Sequence, residues 1–84
     1  MYSIEITRRA ERELRRLDRQ VKNRITQTIM TLANEPRPAG CLKVRSEAGV
    51  WRVRMGDWRV GYEIDDAQQS VTIIRVGHCG DFYE

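Results

Sequence analysis

No run of about 18 apolar residues occurs in this chain, which excludes a membrane-spanning helix. It does not begin with the charged-then-apolar leader of a secreted protein, so no secretory signal is expected. Cysteine occurs only at Cys41 and Cys79, too few and too far apart for a disulfide framework or a metal site, and the expectation is a reduced, cytoplasmic protein. Histidine occurs once, at His78, and a lone imidazole with these neighbours cannot assemble a metal centre. Neither a metal nor a cofactor is expected. Gly-rich phosphate loops, zinc spacing, a Ser-His-Asp arrangement, internal repeats and low-complexity segments are all missing. At 84 residues the chain reads as one domain, 1–84, whose small core must be well organised.

What is abundant is arginine. Between Thr7 and Arg24 eight basic residues face three acids, a net of +5 where the whole chain carries only +3. The remainder is therefore slightly acidic, and the basic character sits at the N-terminal end and in one later segment. Arginine in place of lysine suits phosphate and carboxylate partners alike, because the planar guanidinium offers paired donors. A well-solvated helix surface accounts equally well for the N-terminal cluster.

Tyr2, Ile4 and Ile6 alternate with Ser3 and Glu5, so the chain opens as a strand. Thr7 can cap a helix whose apolar stripe is Ala10, Leu14 and Leu17. Asp18 is a cap or a break before a second stripe of Val21, Ile25, Ile29 and Leu32, running to about Asn34. Pro36 and Pro38 end helix formation and make Glu35–Gly40 a loop. Leu42 and Val44 alternate with Lys43 and Arg45 as a further short strand. Val71–Val76, VTIIRV, is β-branched nearly throughout and reads as a strand buried on both faces for much of its length. The segment from His78 to Glu84 is a short tail.

The later basic segment is VWRVRMGDWRVGY, Val50–Tyr62. With a period of two, Trp51, Val53 and Met55 fall on one face and Arg52 and Arg54 on the other. After Gly56-Asp57 the alternation resumes, with Trp58, Val60 and Tyr62 opposed to Arg59 and Gly61. This is a β-hairpin with an apolar face and an arginine face. The polar side of such a hairpin is ordinarily just solvated. Here, however, the polar face of the two arms has no acid between its arginines, and clustered cations repel one another unless an anion joins them; a phosphate backbone fits that role.

The order condenses to β-α-α-β-β-β, an α+β fold with a helical hairpin packed on one face of a small, mostly antiparallel twisted sheet. Trp51, Val53, Val60, Tyr62, Ile74 and Val76 are expected to meet Leu14, Leu17, Ile25, Ile29 and Leu32. The other face is expected to carry Lys43, Arg45, Arg52, Arg54, Arg59, Arg75 and Cys79, open to a nucleic-acid strand.

The run LKVRSEAGVWRVRMGDWRVGYEIDD, then VTIIRVGH and a tyrosine near the end, resembles the RelE/ParE superfamily of bacterial toxins, in particular its RelE branch. The leading strand, the helix ending in LRRLD and the Pro-containing loop agree, so the resemblance covers nearly the whole chain. It implies the toxin half of a toxin–antitoxin pair that enters the ribosomal A site and cleaves mRNA there. The implied chemistry is attack of a 2′-hydroxyl on its own 3′-phosphate, giving a 2′,3′-cyclic phosphate without a metal. Carried over by position, Arg52, Arg54 and Arg59 match the basic active face, and Tyr83 the C-terminal tyrosine. Arginines stay protonated near neutral pH and so act as clamps rather than bases. His78 could exchange protons, and Tyr83 could orient the 2′-hydroxyl or stack on a base.

Lys43, Arg45 and Arg75 are expected to bind RNA beside this face, while Arg8, Arg12, Arg15 and Arg19 grip ribosomal RNA. The implied partners are an acidic, RelB-like antitoxin, the ribosome and mRNA, with no membrane and no direct DNA binding by the toxin alone. Two departures stand out: Cys79 sits where an arginine often follows the strand end, and arginines replace the lysines that also occur on the first arm. A ParE-like inhibitor that binds DNA gyrase, and a weakly active relic that still binds its antitoxin, are the alternatives.

Overall fold

In a computed structural model that describes residues 1–45 and 47–79, the chain opens with strand β1 (Ser3–Ile6) and helix α1 (Arg8–Arg15). Helix α2 (Arg19–Thr31) follows, and then strands β2 (Leu42–Lys43), β3 (Val50–Met55), β4 (Trp58–Asp65) and β5 (Ser70–His78). The five strands form one sheet in the order β1-β5-β4-β3-β2. The expected α+β architecture is present, and all five strands read along the sequence form, one more than the condensed order β-α-α-β-β-β counts; the strand at Leu42 is only a two-residue edge. All pairings are antiparallel except β1 with β5, which is parallel. That pairing joins the two ends of the described chain and leaves no local sequence signal.

Both helices start on the residues that can cap them. The Ala10 N–H donates to Thr7 Oγ1 at 3.2 Å, and the Val21 N–H donates to Asp18 Oδ1 at 3.1 Å. Asp18 is thus the cap of α2 rather than a break within one helix. Replacing it with alanine leaves a first-turn donor unsatisfied, and urea unfolding should show a loss of about 0.5–2 kcal/mol.

Ala10, Leu14, Ile25, Ile29 and Leu32 of the helical layer meet Val53, Val60, Tyr62, Val71, Ile73 and Val76 of the sheet in one core. The expected inward residue Ile74 is not among them; Ile73 takes its place. The register explains why: Gly61 pairs with Arg75 but Tyr62 pairs with Ile73, so Ile74 is an extra residue at a β-bulge. The bulge reverses the alternation, placing Val71, Ile73 and Val76 inward with Arg75 outward. β5 is therefore buried on one face, not on both.

Tyr62 is fully buried on β4, and its hydroxyl donates to the Pro36 carbonyl at 2.7 Å. Burial, with the Cys41 thiol beside it, holds this phenol far above its ordinary range, so it remains a donor. The same loop is tied down at the surface. Arg37 makes a two-pronged contact with Asp66, at 2.9 and 3.3 Å, and Tyr2 donates to Asp66 Oδ1 at 2.6 Å. The Arg37 guanidinium holds the Asp66 carboxyl below its usual range. Beyond the end of β1 the free edge of β5 is covered by α1: the Val76 N–H donates to Glu13 Oε1 at 2.8 Å. No helix among the described residues is long and apolar enough to cross a membrane.

Candidate functional site

Residues directly opposite one another in antiparallel strands share a face. On the side of the sheet away from the helices, this puts three rows side by side. Nearest the β3–β4 turn, Arg54 stands opposite Arg59, and Arg59 opposite Gly77. The next row runs Leu42, Arg52, Gly61, Arg75. The third runs Val50, Glu63, Thr72, Glu5. Arg52, Arg54, Arg59 and Arg75 therefore occupy two adjacent rows of one face, while Val53, Val60 and Val76 alternate with them into the core.

The turn fixes one end of this patch. Gly56 adopts φ 56°, the left-handed value that a tight two-residue hairpin demands at its first position and that glycine accepts without strain. Its carbonyl accepts from Arg54 Nε at 2.8 Å, which holds that guanidinium over the turn. The Cys79 Sγ lies 3.9 Å from the same carbonyl, and the Cys79 N–H donates to Asp57 at 2.7 Å. The cysteine is thus on the arginine face, at the corner where the resemblance implies an arginine. The Nε atoms of Arg52, Arg59 and Arg75 are withdrawn from solvent, and Gly61, with no side chain of its own, is buried. The arginine stems lie close to the sheet rather than extending freely. Like charges about 6 Å apart repel by roughly 0.7 kcal/mol in bulk water and several-fold more at lower effective dielectric. A phosphate bridging two guanidiniums turns that repulsion into attraction.

Three expected members of the site lie elsewhere. Lys43 pairs with Trp51, and its Nζ sits 5.4 Å from the Trp51 ring centroid, on the helix side. Leu42, 51% exposed, takes the arginine-face position instead. Burial could not fix this face, since only two residues of β2 pair at the sheet edge. His78 pairs with Trp58 and meets its ring edge-on at 5.4 Å, on the helix-side alternation of β5 and outside the arginine rows, and at the β5 edge it lines a cavity together with Glu13, Trp58 and Arg75. Arg45 is exposed in the turn after β2, outside the rows. Tyr83 falls outside the described residues.

Arg8, Arg12, Arg15 and Arg19 are all exposed on the helices, on other elements than the hairpin arginines. Arg15 is paired with Glu11 at 2.8 Å. The acids of the third row were not expected on this face. Glu63 and Asp65 share the alternation of Arg59 and Gly61, but the pairing of Glu63 with Thr72 depends on the bulge, and that of Thr72 with Glu5 on the parallel β1–β5 register. Among the described residues no cluster of His, Cys, Asp and Glu could hold a metal ion.

A family model described as the ParE toxin of type II toxin–antitoxin systems matches residues 4–83. The chain is 32% identical over 83 residues to the toxin RelG of Mycobacterium tuberculosis, covering 98% of this chain and 95% of that one. It is 33% identical to the toxin RelE of the same organism, covering 98% and 86%. The crystal structure of the M. tuberculosis toxin–antitoxin complex RelBE2 superposes with a TM-score of 0.83 at 32% identity, over 92% of this chain and 96% of that one. The isolated Escherichia coli RelE toxin has the same fold, with a TM-score of 0.81 at 22% identity over 100% and 89%.

Proposed function

The chain belongs to the RelE/ParE family of toxins of type II toxin–antitoxin pairs, on its RelE branch, and on that premise we propose that it is an endoribonuclease cutting mRNA in the ribosomal A site. One observation carries the reading: Arg52, Arg54, Arg59 and Arg75 share the sheet face that the helices leave uncovered. In the proposed reaction the 2′-oxygen bonds to phosphorus and the P–O5′ bond breaks. Water takes the 2′-proton and returns one to the departing 5′-oxygen, so the step balances with a cyclic phosphate and a free 5′-hydroxyl as products. Negative charge builds on the equatorial oxygens, where Arg54 and Arg59 supply donors already held in place and Arg52, one row along, holds the strand beside them. Such a step consumes no metal or cofactor.

His78, which alternates away from the arginine rows, is given no part in this scheme. Tyr83 is assigned the orientation of the 2′-hydroxyl, and Tyr83→Phe should reduce toxicity while antitoxin binding persists. The exposed arginines of α1 and α2 are assigned to ribosomal RNA, which they would hold without reading its sequence. An acidic antitoxin is the expected cytoplasmic partner. Primer extension on translated mRNA tests the reading: cuts at A-site codons that require ribosomes support it. The matching family model bears the name of the sister toxin. Growth arrest with intact mRNA and halted supercoiling would instead favour a gyrase inhibitor.

A further inference from the structure

We propose that the arginine face holds two consecutive phosphates of one RNA strand, and no more. The scissile phosphate lies on the Arg54–Arg59 row and its neighbour on the Arg52–Arg75 row. This deepens the nuclease reading and rests on it. The two rows are two residues apart along each strand, about 7 Å. That is close to the distance between neighbouring phosphates in a stretched single strand. Each row pairs two guanidiniums with a glycine, Gly77 in one and Gly61 in the other. Neither glycine is among those with left-handed φ, so the backbone does not require them. What they contribute is the missing side chain, which in the Gly61 row would otherwise part Arg52 from Arg75.

The track is closed at both ends. Beyond the Arg52–Arg75 row come Glu63 and Glu5, whose carboxylates turn a third phosphate away. Beyond the Arg54–Arg59 row comes the turn, with Asp57 in it. Arg75 is thereby a binding residue for the second phosphate, one row from the corner that Cys79 occupies without a charge.

Binding of short 2′-O-methyl RNAs, which cannot undergo 2′-attack, tests this by fluorescence anisotropy across a salt series. The probes carry one, two or three internal phosphates and are otherwise alike. For the wild type, affinity should rise at least tenfold from one phosphate to two and stay level from two to three. The slope of log K against log[salt] should steepen by about 0.7 at the second phosphate only. Arg75→Ala should abolish the step from one to two, lowering two-phosphate affinity far more than one-phosphate affinity. Arg75→Lys should restore part of it, because the charge returns without the fork.

A wild type that gains nothing at the second phosphate, or gains evenly through the third, overturns the proposal. So does an Arg75→Ala chain that keeps the step. Should the step be absent while Arg59→Ala still abolishes A-site cutting, the two-phosphate cradle falls and the nuclease stands. Should the step be present while no A-site cutting occurs in any chain, the nuclease falls and the cradle remains as an RNA-binding track.

Discussion

Arg59→Ala should lower the single-turnover rate of A-site mRNA cleavage about 10²–10³-fold, the usual cost of removing one preorganised donor from a developing oxyanion. Arg59 sits on β4, the middle strand of the sheet, with Arg54 opposite on one side and Gly77 on the other. Its stem is held against the sheet, so little reorganisation is needed when charge appears on the phosphate. Its outward position means that alanine leaves the core between Val60 and the helices untouched. The variant should therefore purify folded and bind the antitoxin as before. Arg59→Lys should recover only part of the rate, since a point charge cannot span two phosphate oxygens as the guanidinium fork does. Single-turnover primer extension on programmed ribosomes measures both. An alanine variant that cuts at the wild-type rate would remove Arg59 from the chemistry.

Tyr62→Ala should cost about 3–5 kcal/mol, the range for deleting a large buried aromatic side chain. Small domains have roughly 5–15 kcal/mol in all, so this change alone takes away a large share of the stability. Tyr62 is fully buried behind the arginine face, and its hydroxyl anchors the loop at Pro36. Tyr62→Phe separates the two contributions. It keeps the ring and leaves the Pro36 carbonyl without its donor, a loss of about 1–3 kcal/mol. Urea unfolding of both variants checks this. Equal losses would assign the whole effect to the hydroxyl, and no loss in either would contradict the packing described.

The hairpin was legible because its burial is one-sided: Trp51, Val53, Val60 and Tyr62 alternate strictly with Arg52, Arg54, Arg59 and Gly61, and the structure keeps that alternation. Both helices were legible from their stripes and from the capping residues Thr7 and Asp18. β5 was not. A single extra residue at Ile74 shifts its phase, and VTIIRV is apolar at both phases, so the pattern cannot show where the shift occurs. The edge strand failed for the opposite reason. With only Leu42 and Lys43 paired, register rather than hydrophobicity chose the face, and Lys43 went to Trp51. The parallel β1–β5 pairing, the Glu13 cover on the β5 edge and the acidic third row all join residues distant in sequence. These are the features that bound the candidate site.

The central claim is that the uncovered sheet face, and not the basic helix surface, holds the bond that breaks. It is tested most directly by comparing two multiple variants on ribosomes with an empty A site: Arg52→Ala/Arg54→Ala/Arg59→Ala, and Arg8→Ala/Arg12→Ala/Arg15→Ala/Arg19→Ala. The account predicts that the sheet variant makes no cut even at saturating concentration, whereas the helix variant reaches the wild-type rate but needs more protein to do so. A sheet variant that cuts normally once saturated would contradict it.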